Sequence, residues 1–456
     1  MYYFSEWLIR GAALVVVPFR RRFTAPAWLL LLFFLPVPGL LLYLAIGEPR
    51  FPRWRAREAR RFRPFQARVK ERLDPHRAGR PPASAALAER LGGLPAVAGN
   101  SIELISDYGA AVERLVADIG RAERSVSLVV YIFANDEVGR AIASALAHAV
   151  KRGVRCRAMI DSVGSSKWLP GTLAMLRAAG VQTQEALPFH WLRRRTRRDM
   201  RNHRKLVVID GRIGYAGSQN IVARDFRAGV TNRELVARCT GPVVAAMESV
   251  IEGDWFHETG ALPGLPPEVP GATGVSVLQL LPSGADYAME GFRTLLVWQI
   301  HQARRRVVIV TPYFIPGQDV LAAMTTAAAR KVRVDLIVSS VVDQRVVNLA
   351  QRSYYSELLR SGVRIHLYQG FLLHAKAVSV DETLAILGSS NVDLRSFQLN
   401  EEISLLLLDR QSIRSLRAEQ ERCLEGSLEL GLPSWERRGR AVRVAENLAR
   451  LVSPLL

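Results

Sequence analysis

The chain has 456 residues, enough for two or three domains and a sizeable core. Its composition, 49% hydrophobic and 23% charged, excludes wholesale disorder. Lys and Arg number 62 against 42 Asp and Glu, and the net charge of +20 favours an anionic partner, either nucleic acid or an acidic lipid surface.

The N-terminus separates those two partners. From Phe23 to Gly47 there is no charged residue, and a helix of roughly 20 apolar residues crosses a bilayer. The sequence predicts an N-terminal membrane region over 1–48, with a span at about 25–46 and a short first helix at 7–19 that carries Arg10. Pro36, Pro38 and Gly39 predict a kink, and Trp28 and Tyr43 sit near the ends as interfacial aromatics do. Residues 49–100 read as a basic, Pro- and Ala-containing connector. Their arginines outnumber Arg20, Arg21 and Arg22, so the positive-inside rule puts the rest of the chain in the cytoplasm.

Strand–helix alternation begins near 101. SVSLVVYIF (125–133) reads as a buried strand, a helical pattern follows, and VRCRAMID (154–161) is the next strand. The cluster HWLRRRTRRDMR (190–201) suits a lipid-facing loop, because arginine matches phosphate and Trp191 can anchor at an interface. A Pro/Gly-rich stretch at 263–280 marks a boundary between a first domain at 101–262 and a second at 281–426. The tail, 427–456, sets valine and leucine on one helical face and arginine on the other. It reads either as a helix packed on the domains or as one lying on a membrane. Cys156, Cys239 and Cys423 are widely spaced and read as reduced and buried, with no disulfide framework or zinc motif.

The second half repeats the first. HRKLVVIDGRIGYAGSQN (203–220) matches HAKAVSVDETLAILGSSN (374–391) at identical spacing, pairing His203 with His374, Lys205 with Lys376 and Asp210 with Asp381. Ser218 pairs with Ser389 and Asn220 with Asn391. Both copies then reach Asn-x-Glu, with Asn232 and Glu234 in the first and Asn400 and Glu402 in the second. Residues i and i+2 of a strand share a face, so each histidine points with its lysine.

Two imidazoles and two ammonium groups brought together by pseudo-twofold packing suit a phosphodiester. One imidazole attacks phosphorus and the other protonates the leaving alkoxide. The lysines, the Ser218 and Ser389 hydroxyls and the Asn220 and Asn391 amides are candidates for holding the non-bridging oxygens. Glu234 and Glu402 are candidates for orienting the imidazoles. Asp210 and Asp381 end strands before turns, so bonding the turn backbone and a part in the chemistry are both open readings. Tyr131 and Tyr313, at strand ends, read as packing residues. No metal and no other cofactor is expected.

Two copies of H-x-K-x4-D-x6-G-S-x-N resemble the phospholipase D superfamily. With the apolar N-terminus, the arginine-rich connector and TPYFIP, SYYSELLRSGVRIHLYQG and SSNVDLRSF, nearly the whole chain is similar to the bacterial cardiolipin synthases. The resemblance implies an α/β fold of two tandem phospholipase-D-like sandwich domains packed as a pseudo-twofold pair behind an N-terminal transmembrane segment. It also implies a phosphatidyl-histidine intermediate, placed by preference on His203, with His374 as acid and then base. Phosphatidylglycerol and anionic membrane lipids are the implied partners, with no nucleic acid, and the implied location is the bacterial inner membrane. A hydrolytic phospholipase D and a nucleic-acid phosphodiesterase are the competing readings.

Overall fold

The computed structural model describes residues 2–20, 25–46, 53–188, 200–287 and 290–453. Most of the arginine cluster at 190–201, including Trp191, lies outside the described residues.

One sheet runs through both halves of the chain. Its seam is an antiparallel pair, Val97–Ile105 against Ser276–Ser283. Outward from the seam the first half places Val236–Thr240, Ile213–Gly217, Leu206–Ile209, Ser125–Val130, Arg155–Asp161 and Gln182–Ala186. The second half places Asn400–Leu407, Leu384–Gly388, Ala377–Val380, Arg306–Val310, Arg333–Ser339 and Arg364–Tyr368 in the same order, with Ser427–Glu429 added at the edge. The duplication in sequence is therefore a mirrored strand order about one seam. The strands are apolar runs such as LVVI and AVSV that are buried throughout, as a sheet covered on both faces requires. A core of side chains from both halves, Val129, Leu206 and Met247 with Val310, Ala377 and Leu405 among them, crosses the seam.

The stretch read as a linker to 280 ends earlier. Ser276–Ser283 is a buried seam strand, because VSVLQLL pairs on both edges. The basic connector is also more structured than its charge suggests. Arg53–Leu73 is a helix whose Phe62, Phe65, Val69 and Leu73 form a buried stripe at helical spacing. Phe62 stacks on Phe256 of the helix Val243–Thr259 at 5.4 Å between ring centroids. Arg55 on the same helix is buried and ion-paired with Glu258 at 3.3 Å and Asp286 at 3.1 Å.

At the N-terminus the expected span is two short helices, Ala25–Phe34 and Pro36–Ile46, preceded by Tyr2–Arg20. No helix among the described residues is long and apolar enough to cross a membrane. A straight helix would separate Trp28 and Tyr43 by roughly 22 Å at 1.5 Å per residue. Their ring centroids are 5.3 Å apart, so the segment folds back on itself. Pro36 and Pro38 supply no N–H at the bend, and Gly39 lets the backbone pack against Leu31 and Leu32, which a Cβ would meet at 3.1–3.2 Å. Arg10 is accommodated by donating to the Phe33 carbonyl at 3.0 Å and pairing with Glu6 at 3.4 Å.

The motif aspartates sit at the hairpin turns. Asp210 and Asp381 adopt φ of 56° and 50°, a region that Asp and Asn tolerate better than most residues. The Asp210 carboxylate accepts from the backbone N–H groups of Glu123, Arg124 and Ser125 at 2.7–2.9 Å. Asp381 accepts in the same way from Arg304, Arg305 and Arg306 at 2.8–2.9 Å. Asp210 follows Lys205 by five residues of extended chain, which places it on the order of 16 Å away at about 3.3 Å per residue. The carboxylates thus tie the turn to the start of the neighbouring strand. Asp210→Ala and Asp381→Ala are each expected to lower unfolding stability by about 1–3 kcal/mol, the size of a lost cap plus strain, and the Asn variants by less. Thermal unfolding of the purified chain checks this order, and equal stability of the Ala variants contradicts the assignment.

Candidate active site

Each histidine is set in place by the half of the chain to which it does not belong. Arg201–Asn202 runs parallel to Asn400–Glu401, and the His203 N–H donates to the Glu401 carbonyl at 2.9 Å. Reciprocally, Leu372–Leu373 runs parallel to Asn232–Arg233, and the His374 N–H donates to the Arg233 carbonyl at 2.8 Å. This exchange carries the side chains with it. Nδ1 of His203 lies 3.0 Å from both carboxylate oxygens of Glu402. Nδ1 of His374 lies 2.8 and 2.9 Å from those of Glu234. A carboxylate partner fixes the proton on Nδ1, so each Nε2 presents a lone pair.

The carboxylates are themselves held. Glu402 accepts from the Ser389 hydroxyl, from the Ser396 hydroxyl at 2.8 Å and from the Asn400 amide at 3.4 Å. Glu234 accepts from the Asn232 amide at 3.2 Å. Ser218 accepts from the Leu235 N–H at 2.9 Å, and Ser389 does the same with Ile403 at 3.0 Å. The serines therefore stand behind the orienting carboxylates, and the sequence reading of them as phosphate ligands does not match this position.

Both histidines line one cavity of about 270 Å³, together with Asn220, Asn391, Asn232 and Asn400. Tyr131 and Tyr313, read from sequence as packing residues, also line it. The Tyr131 ring lies edge-on to His203 at 4.7 Å, and the Tyr313 hydroxyl donates to Asp343 at 2.6 Å. Asp210 and Asp381 are not among the lining residues. Sequence reading missed two cavity arginines, Arg227 and Arg395, while a third, Arg201, ends the cluster read as a lipid-facing loop. It also missed Arg204, which is buried between His203 and Lys205 and paired with Asp254 and, at 2.8 Å, with Glu401. The signal was present for Arg204: the matching position in the second copy is Ala375, so an arginine between two buried strands needed a carboxylate.

Burial sets the charges of the site. Desolvation lowers both imidazoles to about 4, against the pull of Glu402 on His203 and of Glu234 on His374. Both are neutral at pH 7. Desolvation also lowers Lys205 to about 7, helped by Lys376, and Lys376 to about 8. Burial alone would raise the two glutamates, but the histidines and lysines facing them hold both below the ordinary range. The lysines differ in their contacts. Lys376 Nζ lies 3.1 Å from Nε2 of His374 and donates to the His374 carbonyl at 2.7 Å. Lys205 Nζ donates to the His203 carbonyl at 2.6 Å and lies over the Tyr131 ring at 5.2 Å.

The crossed pairing is open to a double-mutant cycle on unfolding stability. His203 with Glu402 is expected to show coupling of about 1–3 kcal/mol, and His203 with Glu234 less than about 0.5 kcal/mol. The reverse result would mean that each half orients its own histidine.

The family model described as "Cardiolipin synthase, PLD-like domain" matches residues 115–255 and 296–424, and "Phospholipase_D-nuclease N-terminal" matches 10–48. The chain is 36% identical over 479 residues to cardiolipin synthase A of Serratia proteamaculans, covering 99% of this chain and 97% of the relative. It is 37% identical over 474 residues to cardiolipin synthase A of Salmonella paratyphi B, covering 98% and 96%. The fold is similar to the crystal structure of phosphatidylserine synthase from Haemophilus influenzae, with a TM-score of 0.62 at 16% identity over 82% of this chain and 100% of that one. With relatives matched end to end and the duplicated domain matched in both halves, the chain belongs to the bacterial cardiolipin synthase family of the phospholipase D superfamily.

Proposed function

We propose that the chain is a phosphatidyltransferase that joins two phosphatidylglycerols into cardiolipin and releases glycerol. The carrying observation is the pair of neutral imidazoles in one cavity, each with Nδ1 held by a buried carboxylate, Nε2 of His203 open and Nε2 of His374 in contact with Lys376. Full-length identity to cardiolipin synthases selects the substrates.

His203 is the nucleophile in this reading. The contacts of the two lysines support the choice, since Lys376 occupies Nε2 of His374 while Lys205 bonds only the His203 carbonyl. Nε2 of His203 attacks phosphorus, a P–N bond forms, and the P–O bond to glycerol breaks. His374 gives the departing oxygen a proton, which Lys376 supplies through its contact with Nε2. In the second step the terminal hydroxyl of another phosphatidylglycerol attacks, its proton returns to His374 and Lys376, and the P–N bond breaks. One phosphodiester is made for each one broken, so the step needs no nucleotide. Lys205, Lys376, Asn220 and Asn391 bear on the non-bridging oxygens, where charge shifts in the transition state. Ser218 and Ser389 act through the glutamates, and Asp210 and Asp381 through the hairpin turns.

The N-terminal helices hold the enzyme at the bacterial cytoplasmic membrane, with the catalytic halves on the cytoplasmic side. Their outward apolar side chains, such as Phe34 (75% exposed) and Leu44 (73%), support insertion as a hairpin. The arginine-rich segment that follows supports the sidedness.

In vesicles of phosphatidylglycerol the chain is expected to make cardiolipin and glycerol in equal amounts. Phosphatidic acid as the sole product would make it a hydrolase. His203→Asn and His374→Asn are each expected to lose cardiolipin synthesis by at least a thousandfold. His374→Asn quenched in neutral detergent should retain a phosphatidyl group on His203, and a group mapped to His374 in the native chain would reverse the roles. The lysines predict the alkaline limb. Both lose their charge as pH rises through about 7 and 8, so kcat/KM falls over that range. Arginine stays charged, so Lys205→Arg should move the first step of that fall upward even if its rate is lower.

A further inference from the structure

The helix Arg440–Val452 wears its apolar face outward. Val444 is 56% exposed, Leu448 59% and Leu451 66%, whereas Glu446 is 2% and Ala449 7% exposed. At about 100° per residue the first three centre on the side opposite the other two. A helix packed on a globular domain in water has the reverse arrangement. Its inward face is firmly seated. The buried Glu446 carboxylate accepts from Arg352 at 2.9 Å and from Arg438 at 2.7 Å, and both guanidinium groups lie over Trp435. The outward apolar stripe is therefore a fixed surface of the protein.

This stripe adjoins the mouth of the catalytic cavity. Ser453, directly after the helix, lines the cavity, as do Gln344 and Val347 at the helix Arg345–Arg352 to which Glu446 is tied. Val342 and Val346 on that side are also exposed, as are Arg437, Arg440 and Arg443 beside the stripe. A cavity of about 270 Å³ is below the roughly 300–1,000 Å³ that encloses a drug-sized ligand. It takes a phosphoglycerol headgroup and leaves the acyl chains outside.

We propose that Arg440–Val452 is an interfacial helix, which lays Val444, Leu448 and Leu451 into an anionic bilayer and seats the cavity mouth on the lipid surface. Exposed arginine beside an apolar stripe is complementary to anionic headgroups over acyl chains. The proposal rests on the lipid substrate of the reading above, but its test does not depend on turnover.

The three native cysteines are buried, so a polarity-sensitive fluorophore can be directed to Leu448→Cys in the full chain, with Glu113→Cys as the solvent-facing control. In vesicles of equal phosphatidylglycerol and phosphatidylcholine, the label at 448 should shift to the blue and be quenched by lipids spin-labelled near the headgroup. The control should be quenched by aqueous iodide. Iodide quenching at 448 as strong as at 113 overturns the proposal. So does a blue shift that needs no lipid and grows with protein concentration, which marks a second copy as the occupant. If the chain fails to make cardiolipin, the function falls while the label still reads the surface. A second variant, Leu448→Glu with Leu451→Glu, is expected to raise KM for vesicle phosphatidylglycerol about tenfold with kcat within twofold. It should leave turnover of a short-chain, monomeric phosphatidylglycerol unchanged; loss there instead means that the helix serves only the fold.

Discussion

The site depends on one exchange: the imidazole of each half leans on the carboxylate of the other. His203 meets Glu402 and His374 meets Glu234, and in each case the preceding backbone pairs with the strand that carries the glutamate. Glu234 and Glu402 are 2% and 0% exposed. A buried carboxylate stripped of its partner costs about 3–5 kcal/mol, so separating the halves would strand two of them. The duplicated domain is thus a structural repeat without being two independent sites. The seam strands align the halves, and the exchange fixes the tautomer and direction of each ring. Chemistry by two histidines requires both.

The same burial that makes the exchange strong also sets the electrostatics. Two ammonium groups face two carboxylates and two neutral imidazoles, and Arg201, Arg227 and Arg395 line the same cavity. Desolvation holds both ammonium groups near their titration points, and repulsion from Lys376 lowers Lys205 further. A phosphodiester brings a further negative charge. On entering it stabilises both lysines in their charged form, so substrate binding and proton retention are linked. Lys376, bonded to Nε2 of His374, is then a filled proton reservoir next to the group proposed to protonate glycerol.

The repeat was legible because its spacing is rigid: His, Lys, Asp, Gly, Ser and Asn recur at the same offsets, and each offset corresponds to a position on a hairpin. What could not be read was which half serves which histidine, since each motif is followed by its own Asn-x-Glu strand. Spacing also cannot distinguish a ligand from its support. Ser218, Ser389, Asp210 and Asp381 keep their register because they hold backbone and carboxylates. The connector hid its helix because arginines dominate its composition while only Phe62, Phe65, Val69 and Leu73 carry the packing. The apolar run at 25–46 has the length of a span, but length says nothing of direction. Pro36, Pro38 and Gly39, expected to kink a crossing helix, instead allow a reversal that brings Trp28 against Tyr43.

The pseudo-twofold is broken where order of events needs it broken. Arg204 stands between His203 and Lys205, tied to Asp254 and Glu401 and donating to the Glu402 carbonyl at 3.1 Å, so the first motif is clamped from behind. The second motif has Ala375 there and no such clamp. On the open side the asymmetry runs the other way: His374 has its lysine on Nε2, while His203 faces Tyr131 and the cavity. A nucleophile gains from a fixed ring with a bare lone pair, and an acid–base gains from a proton source in contact. Gene duplication supplies two equivalent histidines, and a few unmatched neighbours give them the different surroundings on which the proposed division of roles rests.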